Sequence, residues 1–165
     1  MSMRFELVNE EELEDLKRRI RTNYGASTEL LRNVVVLRTK GEKVRILTRE
    51  AFWLLQRLNK YATYAGLYIC KLKRSNKLQP SVEGAQILAS SAKRNVICLD
   101  DERSQKFLKG ENVSLTEIEG CEPNNFVLVC SKHLCLGTGI IREKEGGSYV
   151  LESLFPKSRR IFFLQ

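Results

Sequence analysis

The hydrophobic period of this chain changes near residue 93, and that change constrains the fold more than any other feature. Upstream, apolar residues recur at helical spacing between short extended runs; downstream, extended runs dominate and one brief helix interrupts them. Residues 96–99 read as a buried strand, after which Asp100 or Asp101 caps a helix that runs through Phe107 and Leu108 and stops at Gly110. Extended character resumes over 113–118, 126–130 and 134–141, a turn falls at 145–148, and 160–164 reads as a closing strand. Short strands around one brief helix predict a small β-barrel or pseudobarrel. With 165 residues in all, two compact units are the ceiling, because much smaller ones bury too little apolar surface. The boundary falls around Lys93, Arg94 and Asn95, giving an α/β unit over 1–93 and a β-rich unit over 94–165, an α+β architecture as a whole. No glycine or serine tract separates the two, so rigid docking is expected instead of a tether.

The first unit carries its own punctuation. Asn9 followed by Glu10, Glu11 and Glu12 has the form of a helix N-cap with Glu12 reaching back, and acids then precede bases as the helix dipole favours. Leu13, Leu16 and Ile20 predict a helix over 10–23 that leaves Lys17, Arg18, Arg19 and Arg21 in water and stops at Gly25. Residues 33–38 and 43–47 read as a hairpin. Thr48 caps a second helix with Ala51, Leu54, Leu55 and Leu58 as its inner face, and Phe52 and Trp53 widen its girth enough to predict packing on more than one side. A strand over 64–73 ends among Lys71, Lys73, Arg74 and Lys77, and Pro80 stands at or beside the start of a third helix reaching about residue 92.

Charge is unevenly spread. Nineteen of the 28 basic residues but only half of the 20 acidic ones precede residue 95, so the first 94 residues carry +9 and the rest −1. A polyanion-binding face and an ordinary solvated face both fit that excess. The five cysteines are an odd number, and Cys70, Cys98 and Cys130 lie in strand-like runs, which predicts buried free thiols in a reducing compartment. Cys130, His133 and Cys135 lack the Cys-x-x-Cys pair and second histidine of a metal site, so neither a metal nor a cofactor is expected. No apolar run is long enough to span a bilayer and the N-terminus has no signal-like core, so a cytoplasmic protein is expected.

Residues 95–99, 105–113, 126–130 and 134–139 resemble a PUA domain, the RNA-binding module named after pseudouridine synthases and archaeosine transglycosylases. The resemblance rests on Phe107 and Leu108, one residue, then Gly110, followed by polar sequence and Val113. Thr48 to Leu58, the run around Gly66, and Pro80 to Ala89 are similar to the pre-PUA domain of the Nip-seven family of large-ribosomal-subunit biogenesis factors, with an archaeal-like chain length. The resemblance implies a pre-PUA domain docked on a PUA pseudobarrel, acting on precursor ribosomal RNA, cytoplasmic in an archaeal setting and nucleolar in a eukaryotic one, and monomeric. It implies RNA contact at the short helix with its glycine loop (Lys106, Lys109, Gly110) and at the last strand (Lys157, Arg159, Arg160), with Arg142 and Lys144 nearby. Arginine can grip a phosphate through two hydrogen bonds, lysine supplies a mobile charge, and glycine admits a close backbone approach. Glu143, Glu145 and Glu152 interrupt this surface, which favours sharing the RNA with the basic first unit. Phe162 and Phe163 alternate across the last strand, so at least one belongs to the core.

No catalytic constellation is present. The Gly137, Thr138, Gly139 run lacks the third glycine and following helix of a dinucleotide loop, and there is no phosphate-binding loop, zinc-protease motif or nucleophile elbow. A non-catalytic RNA binder is expected. The competing expectation is a protein adaptor in a ribosome-assembly or RNA-processing complex, for which Phe52, Trp53, Tyr61, Tyr64 and Tyr68 supply interface material, although most of these aromatics are expected in the core.

Overall fold

A computed structural model describes residues 5–58, 60–132 and 134–161. Helix α1 (Glu10–Tyr24) starts in a capping box: Asn9 Oδ1 accepts from the Glu12 amide at 2.9 Å, and Glu12 accepts from the Asn9 amide at 3.0 Å. Gly25, left-handed at φ 59°, ends it by donating to the Arg21 carbonyl. Strands β1 (Phe5–Leu7), β2 (Val35–Thr39), β3 (Lys43–Leu47), β4 (Leu67–Leu72) and β5 (Leu78–Pro80) form an antiparallel meander in sequence order. β1 and β5 were not anticipated, because three residues are too short to show a period. Pro80 closes β5 opposite Cys70 and stands just outside the next helix, beside its start as expected. Ser81 is the N-cap of α3 (Val82–Ala89), accepting from the Gly84 amide at 3.0 Å.

The two faces of this sheet are covered differently. Val36, Val44, Ile69 and Leu78 meet Leu16 and Ile20 of α1 and Ala85 and Leu88 of α3. Leu37 and Leu47 on the other face meet Leu55 of α2 (Arg49–Leu58), with Phe52, Ala62 and Ala65 partly buried against them. The expected inner face of α2 is therefore corrected: Ala51, Leu54 and Leu58 are exposed, as is Trp53, and α2 packs on one side alone. Its sequence is apolar around more of its girth than the fold covers.

The second sheet runs β6 (Val96–Cys98), β8 (Phe126–Cys130), β9 (Cys135–Glu143), β10 (Tyr149–Ser153), β7 (Val113–Leu115), with β6 parallel to β8 and every other pairing antiparallel. It curls into a half-barrel over a core centred on Phe107, Val127, Ile141 and Leu151, each fully buried. Helix α4 (Asp101–Leu108), capped by Asp100 through the Arg103 amide at 2.8 Å, leads from β6 to β7. Beyond the expected turn at 145–148 the chain returns as β10, a strand not among those expected from the sequence, paired to β9 from Tyr149 to Ser153. The expected closing strand falls largely outside the described residues, as do Phe162, Phe163 and His133. Within them, Lys157, Ser158 and Arg159 form one 3-10 turn after Pro156, which has no amide to offer a ladder.

The sheets share buried structure. The cluster under α1 and α3 continues into Leu128 and Cys135 of the half-barrel. Asn95, fully buried, donates its backbone amide to Gly120, accepts from the Leu128 amide, donates its side chain to the Asn23 carbonyl at 2.6 Å and accepts from the Glu122 amide at 2.9 Å. Tyr24 donates its hydroxyl to the Leu78 carbonyl at 2.7 Å and reaches the Phe126 carbonyl at 3.3 Å. Burying these polar groups is tolerable because each is paired.

All five thiols are free, but Cys98 is exposed on the edge strand β6, which corrects its expected burial. Burial pushes the Cys70 thiol from 9.0 up to about 12, and burial followed by the neighbouring Cys70 pushes the Tyr24 hydroxyl well above its ordinary 10.0. For an acid whose folded pKa is raised, the unfolded chain loses its proton first, so stability is intact below the unfolded pKa and falls as pH rises toward the folded one. Urea midpoints at pH 8 and pH 10 should therefore show a loss of about 1.4 kcal/mol from Cys70 in the wild type that is absent in Cys70→Ala.

Candidate nucleic-acid interface

The cations expected to meet RNA fall at two places. At the first, the helix end and the C-terminal segment come together: Ser153 donates its hydroxyl to the Phe107 carbonyl at 2.7 Å, and the Ile161 amide reaches the Leu108 carbonyl at 3.3 Å. Gly110, left-handed at φ 81°, both closes α4 and seats Arg160, since a Cβ there would lie 2.8 Å from the Arg160 Nη1. Arg160 is further held by its Nε donating to the Phe155 carbonyl at 3.4 Å. Lys109 is half-buried at this end and Lys157 is exposed on the 3-10 turn. Lys106 pairs with Glu102 one helical turn away at 3.0 Å. Arg159 leaves the group, reaching across to Glu83 of α3 at 2.6 Å.

Arg142 and Lys144 lie elsewhere. Lys144 is in the exposed turn between β9 and β10. Arg142 opposes Val150 on β10, three residues before Ser153, so about 10 Å of strand separates it from the Gly110 end. Its charge is partly met by Glu152 at 3.6 Å, the same-face diagonal neighbour on β10.

Arg142 instead faces the first sheet, across a cleft of about 420 Å³ lined by Lys73, Arg74, Ser75, Lys77, Asn124, Phe126, Ile140 and Arg142. Four of these eight are cations and none is an acid. The cations of the first unit stand on the β4–β5 hairpin, whose central Ser75 and Asn76 have φ of 58° and 57°. That is the twist a two-residue hairpin needs, usually supplied by Asn-Gly. Helix α1 clamps the hairpin from behind: Arg19 donates to the carbonyls of Lys73 at 2.8 Å and Lys77 at 3.1 Å, and Asn23 donates to that of Asn76 at 2.9 Å. Arg19 is thus largely buried, against the expectation that it would be wet. Burial acts to raise the Asp15 pKa, but hydrogen bonds from Arg19 and Arg18 outweigh it and hold the carboxyl below its usual range, so it stays charged to orient the clamp.

On the cleft floor, Lys77 Nζ donates to the Asn124 carbonyl, Arg142 Nη1 reaches Asn124 Oδ1 at 3.4 Å, and Lys73 Nζ lies 5.9 Å from the Phe126 ring centroid. Lysine and arginine fixed around a floor without acids can take an anionic oxygen from either side. None of the three hairpin cations was among the expected contact residues; the signal was present as the basic run ending the strand, but nothing in the sequence aimed it at Arg142. A second cleft of about 340 Å³ at α1 sets four acids, Glu11, Glu12, Asp15 and Glu42, against Arg19 and Arg38, a net negative lining that disfavours a polyanion. No group of three or more metal-ligating side chains gathers among the described residues.

No family model and no curated protein matches the sequence. A solved structure shares the fold: one described as a conserved PUA domain protein from Thermoplasma acidophilum superposes with a TM-score of 0.61, covering 95% of this chain and 98% of that one at 10% sequence identity. The chain has a PUA-protein fold. The likeness extends over both sheets.

Proposed function

We propose that this PUA-fold chain is a non-catalytic RNA-binding factor that holds a sugar-phosphate strand between its two units. The observation that carries the reading is the acid-free cleft in which Lys73, Arg74 and Lys77 from the first sheet confront Arg142 from the second. It provides the shared binding that the near-neutral charge of the second unit requires. The Gly110 and Arg160 end, with Lys109 and Lys157, supplies a further contact along β10. The setting we infer is assembly of the large ribosomal subunit in the cytoplasm, on the resemblance of the Thr48 to Leu58 and Pro80 to Ala89 segments to the Nip-seven family; the solved neighbour supports the PUA part alone.

The test is fluorescence anisotropy of a labelled single-stranded ribosomal RNA fragment titrated with the whole chain at several salt concentrations. Log affinity should fall with log salt by about 0.7 per phosphate neutralised, giving a slope near −3 for a four-cation site. Affinity that ignores salt, or no binding at low salt, would remove the reading. The adaptor reading is supported by the exposure of Trp53, Tyr61 and Tyr64, which the fold does not use in its core.

A further inference from the structure

We propose that the outer face of α2 docks an amphipathic helix of a partner protein whose apolar stripe is flanked by acidic residues. The inference rests on the adaptor reading and is independent of RNA. At about 100° per residue, Trp53, Arg57, Leu54 and Leu58 fall within one arc of about 140°, which Glu50 shares in the first turn. Trp53 is 54% exposed, Leu54 50% and Leu58 46%, and Tyr61 and Tyr64 in the following loop are 84% and 76% exposed. Leu55 and Phe52 already anchor the helix from its opposite side, so this arc is not required by the core. An apolar face of this extent, rich in Trp, Tyr and Arg, has the composition of an interface centre.

Three observations select the occupant. The exposed leucines offer no π-face on which a nucleobase could stack, but they match the i, i+4 spacing that packs against another helix. Two of the three aromatic faces are also engaged by the chain's own cations: the Arg57 guanidinium lies 3.8 Å from the Trp53 ring centroid, and Arg45 lies 5.9 Å from that of Tyr64. Finally, residues 43–60 hold five basic side chains and one acidic one, Glu50. That imbalance sets a second copy of this face against like charge and favours a partner carrying carboxylates beside its apolar stripe.

Trp53 is the single tryptophan of the chain, so intrinsic emission reports this face directly. The experiment titrates the whole chain with a short amphipathic peptide carrying a leucine stripe flanked by glutamates, with the same peptide carrying lysines, and with oligouridine. Saturable blue-shifted emission is expected with the glutamate peptide at an affinity at least about tenfold above the lysine peptide, weakened about tenfold or more by Leu54→Ala with Leu58→Ala. Both leucines are exposed, and circular dichroism confirms that the variant is folded. Equal binding of the two peptides overturns acidic selection while leaving an adaptor face. Absence of any peptide response, oligouridine acting on Trp53 emission in their place, or concentration-dependent self-association lost in the double variant each overturns the proposal.

Discussion

Gly84→Ala is expected to destabilise the protein by about 2 kcal/mol or more, although helix propensity alone argues the other way by about 1 kcal/mol. Gly84 is buried in α3 where the helix crosses β4, and a Cβ there would lie 2.8 Å from the carbonyl carbon of Ile69 and closer still to its oxygen. That oxygen accepts the Ser81 amide at 2.8 Å and belongs to a central strand of the meander, so it cannot swing aside as a side chain would. The helix must lift instead, and lifting it separates Ala85 and Leu88 from the buried cluster that continues into the half-barrel. Gly41→Ala is the contrasting case. At φ 78° it carries backbone strain but its Cβ meets open space, so its cost should stay near 1 kcal/mol. Urea denaturation of both variants checks the order; equal midpoints would mean that α3 is not seated against β4 as described.

The largest effect on binding is expected from Lys73→Ala, Lys77→Ala and Arg142→Ala together. Each removes one cation from the cleft, and at about 1 kcal/mol per exposed charge-assisted contact the three should lower RNA affinity about a hundredfold at low salt. The salt slope should flatten by about 2, since three phosphates go unneutralised. A control with Lys40→Ala, Lys93→Ala and Lys132→Ala removes the same net charge from outside the cleft, and should lower affinity only a few-fold through the weakened long-range field. Equal losses in the two triple variants would show that overall charge, not the cleft, binds the strand.

The half-barrel was legible from sequence because its signals are local. Phe107 and Leu108 before a left-handed Gly110 specify a helix end, and the Asp100 cap reaches an amide only three residues on; the Asn9 box of the first unit is local in the same way. The cleft was not legible because it is assembled from partners distant in sequence. Its hairpin turns on Ser75 and Asn76 with no glycine to announce it, its β5 strand has three residues, and its orientation depends on Arg19 reaching carbonyls more than fifty residues away. The exposed side of α2 was misjudged for a related reason. Leu54, Leu55 and Leu58 are indistinguishable as leucines, and only the coverage of the sheet decides that Leu55 alone goes in.

Photo-crosslinking of the whole chain to a thiouridine-substituted single-stranded RNA, followed by peptide mapping, tests most directly whether both units hold one strand. Adducts are expected in the 73–77 hairpin and in the segments bearing Asn124 and Arg142, with loss of both sets in the cleft triple variant. Adducts confined to one unit, or found on the outer face of α2 with the cleft unlabelled, would contradict a strand gripped between them.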